Sequence, residues 1–228
     1  MAVKRTILAA NWKMHKTAAQ TGSFLDRFLP LAEKLPPDAE IVIAPPFTSI
    51  PYASTRLSGS RVALGAQNVH WEHQGAYTGE ISAAMLLEFG VQYVIVGHSE
   101  RRQYFNETDR TVNLKVRAAL HNGLIPIVAV GESLAEREAG RTDDRVIVQM
   151  RAAFDGVARD VLAGVVVAYE PCWAIGTGKS CDPAEADRVM GLIRSAVRGL
   201  ETTPVLYGGS MKSENVAAYW MTCPSLSK

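Results

Sequence analysis

Short apolar runs rich in β-branched residues alternate along the chain with longer stretches whose apolar positions recur at helical spacing. Arg5–Ala9, Glu40–Ala44, Val62–Gly65, Tyr93–Val96, Ile125–Val130, Val165–Tyr169 and Val205–Tyr207 read as strands. Thr17–Leu35, Thr48–Leu57, Ile81–Phe89, Asp109–His121, Asp143–Leu162, Pro183–Leu200 and Glu214–Trp220 read as the helices between and after them. Asp182 is placed to N-cap one helix, with Pro183 suited to the first turn and Glu185 at the capping-box position. Thr108 or Asp109 is placed to cap another, ahead of a Val112, Val116, Ala119 stripe.

Strands alternating with helices predict a parallel sheet. Seven βα units, with no linker and no shift of composition, predict one α/β domain over residues 1–228, closed as a TIM (βα)8-type barrel. The competing reading is an open doubly wound sheet, which demands a glycine-rich turn after the first strand. Here that turn is Ala10-Asn11-Trp12-Lys13-Met14 and holds no glycine, which favours the barrel. The connection Ala66–Glu80 is long and polar for a βα loop, so it is either a solvated surface loop or a contact arm.

Composition narrows the partners. A hydrophobic content of 47% suffices for a sizeable core. The 24 Lys and Arg nearly cancel the 23 Asp and Glu, which leaves no basic footprint for nucleic acid or an anionic membrane. No apolar run approaches the roughly 18–20 residues of a membrane span. Met1 to Ala10 has no signal-peptide pattern, so a cytoplasmic location is expected. Cys172, Cys181 and Cys223 fit neither a zinc pattern nor a disulfide framework and read as reduced thiols. Asn106-Glu107-Thr108 matches a glycosylation acceptor by chance, lacking any secretory context. No metal and no cofactor are expected.

In a parallel barrel the ligand site forms at the C-terminal ends of the strands. Asn11 and Lys13 follow the first strand, and His98, Ser99 and Glu100 the fourth. Glu170 follows the sixth, and Gly208, Gly209 and Ser210 the seventh. Taken singly, each has a plainer reading: Lys13 as a solvated charge, His98 as a structural histidine, Glu170 as a cap or ion-pair partner. Arg101 and Glu107 read as scaffold supports. The shared position of the others at strand ends favours a site.

Glu170 closes an apolar strand, and Pro171-Cys172-Trp173-Ala174-Ile175-Gly176-Thr177-Gly178-Lys179 follows. A carboxylate under a hinged, partly apolar loop suggests a base that works in a closed, dry space. The tail Gly176–Ser180 looks like a nucleotide loop. However, a Walker motif needs glycine where Trp173 stands, and a dinucleotide fingerprint fails at Cys181. The glycines read better as joints of a lid whose backbone N–H groups can grip a phosphate. Gly208-Gly209-Ser210 is a second candidate phosphate nest. A carboxylate, an imidazole, an amide, a lysine and glycine-rich phosphate cradles suit proton abstraction next to a carbonyl on a small phosphorylated substrate. Lys13 would stabilise the enediolate charge.

Asn11-Trp12-Lys13, Gly65-Ala66-Gln67-Asn68, Gly75-Ala76-Tyr77-Thr78-Gly79-Glu80, Gly97-His98-Ser99-Glu100-Arg101-Arg102, Gly131-Glu132, the Glu170 run and Tyr207-Gly208-Gly209-Ser210 together resemble the triosephosphate isomerase family in order and spacing. The resemblance implies a glycolytic isomerase that interconverts dihydroxyacetone phosphate and D-glyceraldehyde 3-phosphate without a cofactor. It implies Glu170 as the base, His98 as the neutral electrophile, and Asn11 and Lys13 in contact with substrate. It further implies Gly176 and Ser210 on the phosphate, Glu100 as a supporting partner near Lys13, and Pro171–Lys179 as the lid. Gln67, Asn68, Thr78 and Glu80 would belong to an arm that docks into a second subunit, giving a homodimer.

The family pattern has an eighth strand, a double-glycine turn and an eighth helix. This chain instead reads Met221-Thr222-Cys223-Pro224-Ser225-Leu226-Ser227-Lys228, and no Gly-Gly follows Ser210. The expectation is a C-terminally shortened barrel in which the tail 221–228 partly plugs the gap. Strands 1 and 7 would then present edges open to association. Activity would be reduced. The alternatives are an isomerase-fold chain without useful turnover and a related phosphosugar-binding barrel.

Overall fold

The computed structural model describes residues 6–176 and 179–222. The first five residues, the lid residues Thr177 and Gly178, and the tail from Cys223 lie outside the described residues, so most of the expected plug does too. The chain divides into two compact units.

The first unit comprises Arg5–Val96 with Arg117–Pro126. It holds β1 (Thr6–Asn11), α1 (Ala18–Ala32), β2 (Ala39–Ala44), α2 (Ile50–Leu57), β3 (Val62–Ala66), α3 (Ala83–Glu88) and β4 (Tyr93–Val96). Its strands pair in chain order and in parallel, with Ile41 beside Val62 and Gly65 beside Tyr93. β1 is an end strand there. It pairs along its length with β2, from Thr6 opposite Ala39 to Asn11 opposite Ala44, and its Leu8 is 43% exposed.

The second unit comprises Gly97–Val116 and the chain from Ile127 on. It holds α4 (Ser99–Tyr104), the start of α5 (Asp109–His121), most of β5 (Ile125–Val130), α6 (Leu134–Glu138), α7 (Thr142–Ala153), β6 (Val166–Tyr169), α8 (Pro183–Ala196), β7 (Val205–Tyr207) and α9 (Val216–Thr222). β5, β6 and β7 are parallel, with Val130 opposite Tyr169 and Tyr169 opposite Tyr207. Every residue of β4 and β6 is buried, which is why these strands are continuous apolar runs rather than alternating ones.

The helix starts follow their caps. Thr17 and Gln20 form a reciprocal capping box at α1, as Ser133 and Glu136 do at α6. Asp182 accepts from the Ala184 and Glu185 N–H groups at 2.9 and 3.2 Å. Glu185 does not complete the expected box; its carboxylate turns to Arg188 at 2.8 Å. At α5 the cap is Thr108, whose hydroxyl accepts from Thr111 N–H at 3.2 Å, while Asp109 binds Arg102 and Arg145.

The helix ends differ from the sequence pattern for local reasons. α1 stops at Ala32 because Leu35 precedes a proline, and Arg61 gathers the Ala32, Leu35 and Ala39 carbonyls. α7 stops at Ala153, where the Asn113 amide takes the carbonyls of Ala153 and Asp155 at 3.0 and 2.9 Å. A separate 3-10 turn, Arg159–Gly164, covers the rest of that stretch. α8 ends at Ala196, short of Leu200.

Glu107 organises the entry to α4 and α5. Its side chain is 1% exposed and pairs with Lys115 at 2.6 Å and Arg101 at 2.9 Å. It also accepts the Gly97 N–H at 2.6 Å. Burial pushes this carboxyl up, but the Lys115 charge and the bonds from Lys115, Arg101 and Gly97 outweigh it and hold the group below the usual glutamate range. A carboxyl depressed on folding contributes stability above its unfolded pKa and loses it as pH falls through the folded value. Glu107→Gln should therefore destabilise the protein at pH 7 by about 3–5 kcal/mol, because the charge at the centre of a buried ion cluster is removed. The gap to the unsubstituted protein should narrow below about pH 4. Urea unfolding at both pH values measures it, and a gap independent of pH would remove the ion cluster from this role.

Candidate active site

Glu170 follows β6 directly, and its backbone is closely confined. Its N–H donates to the Val130 carbonyl at 2.7 Å. A Cβ built on Gly131 would lie 1.7 Å from the Glu170 carbonyl oxygen, and one on Gly208 would lie 2.8 Å from Glu170 Cγ. Both positions must be glycine to leave room for this one residue. Gly208 N–H donates to the Tyr169 carbonyl at 2.7 Å, so that amide extends the β6–β7 ladder rather than pointing at a ligand. A Cβ on Gly209 would meet the Tyr207 hydroxyl at 2.2 Å.

Gly97, at φ 77°, turns the chain into α4, and Arg102 Nε donates to its carbonyl at 2.7 Å. His98 caps α4: its Nδ1 accepts the Glu100 N–H at 3.2 Å. An Nδ1 that accepts carries no proton, so the neutral ring holds its proton on Nε2. The Glu100 carboxylate lies 3.7 Å from Nδ1, beyond hydrogen-bond reach, so the N–H at 3.2 Å decides the tautomer. Nε2 faces Glu170 Oε1 at 3.3 Å. The other carboxylate oxygen, Oε2, accepts the Ser99 N–H at 3.0 Å. His98 and Glu170 are both buried. An imidazole nitrogen and a carboxyl oxygen thus face each other at 3.3 Å in a buried site.

Behind this pair stands Glu132, fully buried at the end of β5. Trp173 Nε1 donates to it at 2.8 Å and the Tyr169 hydroxyl at 3.2 Å, with Arg137 3.7 Å away. Burial holds the Glu132 carboxyl above its ordinary range despite these partners. The Arg137 guanidinium also stacks 4.5 Å from the Trp173 ring. Pro171, Cys172, Trp173, Ala174 and Ile175 therefore leave Glu170 along a route fixed by Glu132. The Cys172 N–H donates to the Glu132 carbonyl at 3.1 Å and its Sγ–H to the Glu170 carbonyl at 3.4 Å. Burial, then the charges of Glu170 and Glu132, pushes this thiol up to about 12, so it stays protonated and inert. Ser210 Oγ donates to the Ala174 carbonyl at 2.7 Å. Gly176, at φ 71°, and Lys179 are exposed.

The first unit carries the remaining predicted residues. Lys13 sits at φ 52°, a left-handed conformation that a non-glycine residue adopts only when held. The Asn11 side-chain oxygen accepts Lys13 N–H at 3.0 Å, and the Gln67 amide donates to the Lys13 and Ala44 carbonyls at 2.9 Å each. Gln67 thus tethers the β1 turn from within. Asn68 and His70 are buried, and the arm is closed at its base by His70 N–H on the Ile81 carbonyl at 2.8 Å. Thr78 and Glu80 are exposed, and Glu80 lies 3.5 Å from His70 Nδ1.

Glu132 stands in the sequence within the Gly131-Glu132 motif with no role attached to it, although it lies two residues past β5 much as Glu170 follows β6. The clearance glycines, Gly131 and Gly208, had none, because a contact between chain ends of neighbouring strands is not visible in composition or period. Among the described residues no group of three or more His, Cys, Asp or Glu could hold a metal ion, and no helix is long and apolar enough to cross a membrane.

The triosephosphate isomerase family model matches residues 6–223. The triosephosphate isomerase of Synechocystis sp. is 52% identical over 214 residues, covering 94% of this chain and 87% of that protein. Those of Acaryochloris marina and of Caldanaerobacter subterraneus subsp. tengcongensis are 50% and 47% identical, covering 94% and 95% of this chain and 87% and 89% of theirs. With its fold class, its strand-end residues and this likeness in agreement, the chain belongs to the triosephosphate isomerase family, whose fold is the βα-barrel.

Proposed function

We propose that this chain is an intramolecular aldose–ketose isomerase that interconverts dihydroxyacetone phosphate and D-glyceraldehyde 3-phosphate, working as a single barrel domain. The observation that carries the reading is the buried pair of Glu170 and His98 Nε2, 3.3 Å apart, with the imidazole tautomer set by Glu100 N–H. Family membership supports the substrate. The alternatives of an inert chain or a binding barrel are not favoured, because the base, the imidazole and their supports are assembled.

Glu170 takes the proton from the carbon next to the substrate carbonyl. His98 Nε2–H donates to the carbonyl oxygen as negative charge develops there. The same carboxylate then returns the proton to the neighbouring carbon, while the hydroxyl proton of the enediol passes to the former carbonyl oxygen by way of His98 Nε2, which gives up one proton and takes back the other, so no net proton or electron is exchanged with an outside reagent. A carboxylate base beside a neutral imidazole under a closing loop is the family's known arrangement. Glu170 must first leave the Ser99 N–H that it now accepts. Family membership supports Lys13 as the positive charge for the phosphate and the enediolate, Asn11 as an amide contact and Glu100 as a supporting residue. Gly176, Gly208, Gly209 and Ser210 form the phosphate grip. Since Gly208 N–H and Ser210 Oγ are already engaged, the Gly209 and Ser210 N–H groups are the better donors there. The reaction calls for no cofactor.

We assign the arm Gln67–Glu80, exposed over 72–80, to a homodimer contact and place the protein in the cytoplasm. The exposed Tyr77, Thr78 and Glu80 and the internally pinned base of the arm support the first.

Three outcomes are expected. A coupled assay on the full chain should show turnover, and Glu170→Asp or His98→Gln should lower kcat on the order of 10²–10⁴-fold with an unchanged circular-dichroism spectrum. A folded but inactive unsubstituted chain would overturn the reading. Gly208→Ala should push Glu170 off position and cost about 10²-fold in kcat, since displacements near 1 Å carry that penalty. Sedimentation at micromolar concentration should return a dimer mass; a monomer would dismiss the arm contact.

A further inference from the structure

Cys181, the residue before the α8 cap Asp182, ends the loop that begins at Glu170, and both its backbone polar groups are held by phenols. Its carbonyl accepts from the Tyr219 hydroxyl at 2.5 Å. Its N–H donates to the Tyr207 hydroxyl oxygen at 3.4 Å. The two phenol oxygens are 3.0 Å apart, and the rings stack at 4.3 Å between centroids. All three residues are buried.

Proton accounting fixes the directions. Tyr219 has one proton, and the shortest bond commits it to the Cys181 carbonyl. The contact between the hydroxyls must then use the Tyr207 proton. The result is a closed ring: Cys181 N–H to Tyr207 oxygen, Tyr207 O–H to Tyr219 oxygen, Tyr219 O–H to Cys181 carbonyl. Each hydroxyl donates once and accepts once, and no charge is involved.

We propose that Tyr219 is a positioning residue for the isomerase reaction: from α9 it closes a three-membered hydrogen-bond ring that fixes Cys181, the C-terminal root of the β6–α8 loop. This rests on the function proposed above. Tyr219 acts through Cys181, by setting where the loop re-enters the scaffold ahead of α8. Burial, followed by the bond to Tyr219, pushes the Tyr207 phenol upward, so the ring stays intact through the physiological range.

Tyr219→Phe tests this, because it keeps the stacked ring and removes one oxygen. It strands two buried groups at once, the Cys181 carbonyl and the Tyr207 O–H. In hydrogen–deuterium exchange the Cys181 amide should exchange roughly 3–10-fold faster, the scale of one net hydrogen bond. KM for the triose phosphate should rise by about the same factor with kcat changed less, because the phosphate grip loosens while the Glu170 and His98 geometry is untouched. Tyr207→Phe should give a similar change, and the double variant should be no worse than either single one, since all three break the same ring. Unchanged Cys181 exchange in Tyr219→Phe would overturn the proposal, as would a fall in melting temperature with KM unmoved. The exchange measurement needs no turnover. An inactive unsubstituted chain would count against the isomerase reading, while the exchange data would still decide whether the ring holds the loop root.

Discussion

The tightest constraint in the second unit is steric: the Glu170 backbone lies where a side chain at position 131 would otherwise be. The two strand ends approach so closely that only a hydrogen fits between the Gly131 α-carbon and the Glu170 carbonyl. Much else depends on that approach. It lets Glu170 N–H reach the Val130 carbonyl and lets Cys172 N–H reach the Glu132 carbonyl, so the chain beyond β6 stays stitched to the chain beyond β5 for three residues. Gly208 makes the matching clearance on the β7 side. The carboxylate therefore emerges from a backbone that cannot shift without breaking two ladders. Its side chain reaches the Ser99 N–H and faces His98 Nε2 from that fixed backbone.

Fixing the backbone would be of little use if the partner imidazole could rotate or change tautomer. His98 is fixed by a different device: as the cap of α4 it accepts a helix N–H on Nδ1, which orients the ring and assigns the proton to Nε2 in one bond. The turn that carries it is held from below by the Glu107 cluster through Gly97 N–H. Glu107 is charged and heavily paired, whereas Glu132 is pushed towards its neutral form by burial. Two buried glutamates in one unit thus play opposite electrostatic parts. One anchors a turn with full ion pairs, and the other gathers neutral donors from Trp173 and Tyr169 at the start of the loop.

Period and punctuation made the βα alternation legible, because parallel strands buried on both faces are unbroken apolar runs and the helices between them carry stripes. The strand-end rule also singles out Asn11, Lys13, His98 and Glu170, each of which lies at or just after the end of β1, β4 or β6. What stayed hidden was short or relational. α4 and α6 are too brief to show a stripe, and α7 ends where a remote amide, Asn113, takes its last carbonyls. Glycines 208 and 209 looked like phosphate ligands in the sequence, yet each is also required by a neighbouring side chain, Glu170 or Tyr207. Glycine gives the same letter for a mobile joint, an anion nest and a steric clearance, and only contacts separate the three.

The two roots of the loop after Glu170 are built from different chemistry, and the difference bears on how such a loop can work. The N-terminal root rests on Glu132, a titratable group linked to Trp173, Tyr169 and Arg137, so its strength depends on where a proton resides. At the C-terminal root, Cys181 rests on two phenols, and burial pushes the Tyr207 one well above its ordinary range. Ser210 on the Ala174 carbonyl adds a third tie near the N-terminal root, a bond between neutral groups worth about 0.5–1.5 kcal/mol and thus readily exchanged. That tie is separate from the bonds that hold Cys181 and from the backbone bonds of Glu170, so exchanging it leaves the Glu170 backbone where Gly131 and Gly208 make room for it.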